Sequence, residues 1–174
     1  TSMLGADEFV SGIFGGSSAT IFLPAIVFAV AAGMSFATGT SWGTFGILLP
    51  LVVAIFSNAA SSGNMPELLV ISISACLAGA VLGDHCSPIS DTTIMSSTGA
   101  ACHHIDHVNT QLPYAATCAL VAITGYLAAG FIRNGILLLL LSVALLLGAV
   151  KIARTYWGED VPDHLPEVAS TGDK

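Results

Sequence analysis

Gly83-Asp84-His85-Cys86-Ser87-Pro88-Ile89-Ser90-Asp91-Thr92-Thr93 sets two carboxylates, a histidine, four hydroxyls and a proline against apolar sequence. Pro88 removes a backbone donor and the hydroxyls compete for backbone groups, so the stretch predicts a break in a helix. Upstream runs the apolar segment Glu67 to Gly83, whose Gly79-x-x-x-Gly83 face suits close helix contact. Carboxylates are costly inside a bilayer, and irregular backbone at that depth is tolerated only where protein buries it or it lines a cavity. A helix ending in such an island reads as an ion or substrate site.

Composition supports the membrane setting. Of 174 residues, 54% are hydrophobic and only 9% charged, against roughly 25% charged in soluble domains; the mean hydropathy is +0.84. No charged side chain or histidine occurs from Phe9 to Pro66, and no Lys or Arg precedes Arg133. The net charge of -7 comes largely from the end of the chain, where five of eleven acids follow Gly158. Four basic residues cannot form the clustered positive surface that nucleic acid requires. The fold class expected is all-α, a polytopic transmembrane helix bundle with interrupted helices.

The transmembrane region is placed at residues 1–155, with five hydrophobic segments at roughly 9–34, 45–57, 67–83, 111–132 and 135–153. Residues 156–174 read as an acidic disordered tail, with Tyr156 and Trp157 as interfacial anchors. Between the first two segments, Thr38-Gly39-Thr40-Ser41-Trp42-Gly43-Thr44 is a second, uncharged break, so residues 35–56 are expected to form one interrupted helix. Paired interrupted segments are a sequence signature of the binding site in secondary transporters.

Sodium and a proton can compete for one carboxylate, because burial disfavours the charged form and a nearby cation restores it. Asp91, flanked by Ser90, Thr92 and Thr93, offers a carboxylate among neutral oxygen donors, and Asp84 is the second acid. Thr38, Gly39, Thr40, Ser41 and Gly43 are read as the opposite wall of the pathway. His85, His104 and His107 are candidates for pH sensing or proton relay, since an unperturbed imidazole titrates near pH 6.5. Helix capping explains a single Ser or Asp here, but not the whole island.

Cys102-His103-His104-Ile105-Asp106-His107 raises an alternative, a transition-metal site on a non-transporting membrane fragment. No paired Cys motif or H-E-x-x-H accompanies it, and an interfacial polar loop is the plainer reading. No nucleophile elbow or phosphate loop is present, so no enzyme and no cofactor are expected.

Thr38-Gly39-Thr40-Ser41-Trp42-Gly43-Thr44-Phe45-Gly46, the island Gly83 to Thr93, His104-Ile105-Asp106-His107-Val108 and Thr110-Gln111-Leu112-Pro113-Tyr114-Ala115 resemble, in that order, motifs of the NhaC-type sodium/proton antiporter family. The resemblance implies a multi-pass secondary transporter of the plasma membrane whose partners are sodium ions, protons and the lipid bilayer. It also implies functional acids at Asp84 and Asp91, of which the hydroxyl neighbours favour Asp91 as carrier. Related members move organic acids or amino acids coupled to sodium or protons, which keeps that cargo as the alternative. Family members are more than twice as long, so this chain is expected to be the C-terminal half, working with a second transporter half or as a homo-oligomer.

Overall fold

The structure, a computed structural model, describes residues 19–56, 67–132 and 134–157. Among these, a 3-10 turn at Ala19–Phe22 leads into six helices: α1 (Leu23–Thr38), α2 (Ser41–Ile55), α3 (Glu67–Cys86), α4 (Asp91–Gly99), α5 (His104–Phe131) and α6 (Gly135–Trp157). No strand occurs among the described residues, and the all-α membrane bundle read from the sequence is the fold observed. α3, α5 and the Gly135–Thr155 part of α6 are long and apolar enough to cross a bilayer, whereas α1 and α2 are shorter apolar helices. The first ten residues of the predicted segment 9–34, residues 57–66 and the acidic tail beyond Trp157 lie outside the described residues.

The tightest seam joins α1 and α3, and small residues make it. A Cβ on Gly79 would run into the carbonyl of Phe28, and one on Gly83 into the carbonyl of Ala32 and the amide of Phe36. These contacts advance together along both helices, so α1 and α3 run parallel. Lipid removes the hydrophobic drive between helices, leaving packing and weak Cα–H···O contacts to hold such a seam. Cys76, Ala80 and Ala31 fill it, all fully buried.

Gly39 and Thr40 end α1 and begin α2. Gly39 adopts the left-handed conformation at φ 67°, its N–H donating to Ser35 O, and Thr40 caps α2 by accepting from Gly43 N at 3.3 Å. The expected interrupted helix over 35–56 is corrected here. Val52, late in α2, and Phe56, just past its end, share the apolar core with Leu23 and Val27 at the start of α1, so the chain reverses and α1–α2 is a helical hairpin. Its break is also shorter than predicted, because Ser41 to Thr44 form the first turn of α2. Thr40→Ala is expected to cost about 1 kcal/mol, the usual loss for an N-cap hydroxyl, seen as a lower unfolding temperature in detergent without loss of insertion.

α5 returns antiparallel to α3: Gln111 meets His85 at one level and Tyr126 meets Ser74 at another. It begins at His104, seven residues before the predicted segment, and its 28 residues span about 42 Å. Gly130 lets its far end close on Ile21, and Phe22 and Phe131 stack edge to face at 6.1 Å. Likewise α3 continues to Cys86 and α6 to Trp157, so both predicted segments ended too early.

Candidate functional site

The two breaks meet. A Cβ on Gly39 would lie 2.9 Å from Ile89 Cγ1 and 3.0 Å from the Ile89 carbonyl, so the hairpin tip rests directly on the second break. Ser87, fully buried, donates to Phe36 O at 2.7 Å and ties the break to α1. Gly39 is thus required twice, for its positive φ and for the room it leaves to Ile89.

Inside this junction the carboxylate of Asp84 is buried, at 9% exposure, in the last turn of α3. Ser90 Oγ, fully buried, donates to Asp84 Oδ1 at 2.7 Å, and Thr92 Oγ1 lies 2.7 Å from Ser90 Oγ. Ser90 is the N-cap residue of α4, yet its hydroxyl makes no capping bond. It bonds back across the break instead, whereas Thr40 at the matching place in the hairpin caps its helix in the ordinary way.

Of the hydroxyls that the sequence places around Asp91, that of Ser90 is bonded to Asp84 instead. Asp91 is exposed, in the first turn of α4, where a negative charge complements the helix dipole. Ser90 and Thr92 are engaged with Asp84 and each other, and Thr93 Oγ1, almost wholly buried, donates to His85 O at 3.2 Å. The backbone of the break is also largely satisfied: Asp84 O accepts from Ser87 N, Ser87 O from Ser90 N and Pro88 O from His104 Nε2. These carbonyls hold the turn.

The hairpin tip supplies shape more than ligands. Thr38 Oγ1 donates to Met34 O, Thr44 Oγ1 to Thr40 O, and Thr40 Oγ1 serves its own cap. Thr38, Thr40 and Gly43 are exposed, while Gly39 and Ser41 are half-buried. The wall predicted from residues 38–43 therefore touches the site through Gly39.

The histidines separate. His104 contacts the break, with Nε2 on Pro88 O at 2.7 Å and Nδ1 at 3.1 Å from Ser97 Oγ. His85 is exposed and lines an apolar groove along α3 with Val81 and Leu82, and His107 is half-buried on α5. The alternative metal cluster does not assemble: among the described residues no three His, Cys, Asp or Glu side chains could hold one ion. Cys102 Sγ instead faces Ser97 O at 3.6 Å, and α5 starts just beyond the His103 cap, carrying His104 toward Pro88.

Sequence reasoning missed Gln111, whose Nε2 donates to His85 O at 2.8 Å, and the bond from Ser87 to Phe36. The signal for Gln111 was its place two turns inside a polar helix start, seven residues after His104. A cavity of about 610 Å³ between α3, α5 and α6, bordered by Ser74, Cys118, Tyr126 and Ser142, contains no carboxylate. The buried carboxylate is at the break, which is therefore the candidate site.

An uncharacterized protein of Haemophilus influenzae is 56% identical over 129 residues, which is 74% of this chain and 24% of that protein. The malate-2H(+)/Na(+)-lactate antiporter of Bacillus subtilis is 35% identical over 102 residues, 56% of this chain and 20% of that protein. The chain thus matches about a quarter or less of these relatives' lengths. No solved structure matches it. The model of the Na+/H+ antiporter family matches residues 2–131, taking in the hairpin, both breaks and all of α5, and the chain belongs to that family.

Proposed function

We propose that the chain carries the ion-binding break of a multi-pass sodium/proton antiporter of the plasma membrane, with Asp84 as the group that takes sodium and a proton in turn. The observation that carries this is the buried Asp84 carboxylate bonded to Ser90 where the two breaks touch. An ionised, uncompensated carboxylate in this setting is costly. One sodium ion or one proton neutralises it equally, so each occupant displaces the other and the site crosses apolar surroundings only when loaded. Ser90 and Thr92 supply hard, neutral oxygens beside the carboxylate, the donor type that an alkali cation takes. Thr93 and Ser87 hold the turn, and Gly39 seats the hairpin tip on it. No covalent chemistry is involved.

Asp91 is exposed at the start of α4, and in this reading its charge draws cations toward the site. We also infer that the chain works with further transporter sequence, as a second half or a second copy, because its curated relatives are several times longer than the matched stretch.

Sodium-driven proton movement in vesicles, followed with a pH-sensitive dye, tests the reading. The intact protein is expected to give a sodium-dependent signal, and Asp91→Asn to slow it by about three- to tenfold, the scale of one charge at the mouth of a site. A signal that requires malate or lactate would favour the second reading, a carboxylate exchanger coupled to sodium or protons. That reading draws on the name of the Bacillus subtilis relative. Absence of any ion-driven signal would overturn both.

A further inference from the structure

α3 cannot hold its own last turn. Pro88 has no N–H to continue the helical ladder, and the carbonyls at the end of a helix need donors from elsewhere. One carbonyl of that turn, at His85, and one in the break beyond it, at Pro88, are met from α5. Gln111 Nε2 donates to His85 O at 2.8 Å, and His104 Nε2 to Pro88 O at 2.7 Å. A carbonyl only accepts, so His104 carries its proton on Nε2 in this bond. His104 and Gln111 are two turns apart and share one face of α5. Their acceptors bracket the first half of the break, immediately beyond Asp84.

The second nitrogen of His104 faces Ser97 Oγ at 3.1 Å, and Ser97, almost wholly buried, sits on α4. One imidazole therefore joins the break, α4 and α5. On the opposite side Ser87 ties the same turn to α1. The break is held between two helices by side chains reaching carbonyls, and these bonds fix the distance over which Ser90 returns to Asp84.

We infer that His104 and Gln111 are positioning residues for the carboxylate site, acting as a two-point clamp on the break and not as acids or bases in ion exchange. This rests on the reading of Asp84 as carrier. Removing His104 takes the side-chain donor from Pro88 O, and removing Gln111 leaves His85 O with only the longer bond from Thr93 Oγ1; either loss lets the turn relax away from α5. The apparent affinity for sodium should suffer while the maximal rate changes less.

Two readouts in the intact protein in membrane vesicles test it. The first is the half-saturating sodium concentration and maximal rate of proton movement. The second is maleimide labelling of Cys86, the last residue of α3, buried at 8% exposure, with Cys76, Cys102 and Cys118 replaced by Ala. His104→Ala and Gln111→Met are each expected to raise half-saturation about five- to tenfold and to speed Cys86 labelling by a similar factor, the scale of one lost hydrogen bond. His104→Gln keeps a donor at the Nε2 position, lacks a titratable group, and is expected to restore both readouts to within about twofold.

If His104→Gln is as impaired as His104→Ala, the imidazole acts by titration and the clamp is wrong. Unchanged Cys86 labelling in both donor-free variants also overturns it. Labelling that follows the expected pattern in a protein without sodium-driven proton movement supports the clamp and overturns the antiport reading, so the two failures are distinguishable.

Discussion

Asp84→Asn is expected to abolish sodium-driven proton movement, with a residual rate at least about a hundredfold below that of the intact protein. Asparagine keeps the size of the side chain and an oxygen for Ser90 to bond, so the turn from Asp84 to Thr92 should survive. It cannot take up a proton, and its neutral amide attracts a cation far less than a carboxylate does. The measurement is the dye signal against sodium concentration, with membrane insertion checked by protease protection. Asp84→Glu separates charge from reach: it retains the carboxylate but pushes it toward fully buried Ser90, and an intermediate rate is expected. Full activity in Asp84→Asn would remove Asp84 from the mechanism.

Gly83→Leu should be the most disruptive single change to the fold. The backbone of α1 lies against this glycine, with the Ala32 carbonyl and the Phe36 amide in the space a side chain would need. Neither neighbour is a flexible side-chain end that can rotate away, so α1 and α3 must separate. Separation also pulls Ser87 from Phe36 O and the hairpin tip from Ile89. A loss of about 3 kcal/mol or more is expected, at the upper end for overpacking. The variant should be largely degraded or aggregate on detergent extraction. Gly46, with open space where its Cβ would sit, is the control: Gly46→Ala is expected to extract normally.

The membrane helices were legible because hydropathy and length decide them, and Pro88 marked the break correctly. Two other features were not. That residues 35–56 reverse direction depends on Val52 and Phe56 returning to Leu23 and Val27, a tertiary contact that the composition of a break cannot express. Gly39 announces an ending, and only packing says where the chain goes next. The start of α5 was missed because His104 to Thr110 is polar enough to read as a loop. His104, at its start, has protein partners in Pro88 and Ser97.

The two acids differ in their surroundings for a geometric reason. Adjacency made Ser90, Thr92 and Thr93 look like the surroundings of Asp91, but successive residues at a helix start point to different faces. The turn folds Ser90 back on a residue six positions earlier. The candidate residues were found from the sequence, and the partners each one has were not.

None of the membrane-crossing part of α6 is buried within the chain, although Ser142 approaches Gly125 of α5. A helix judged almost entirely by its oiliness carries little shape information: permuting Leu137 to Leu141 with other aliphatic residues barely changes what its surroundings sense. The match to the family ends at residue 131, before α6 begins. Across the chain, recognisable wording is concentrated where side chains answer to specific partners, and the last helix is written in an alphabet of synonyms.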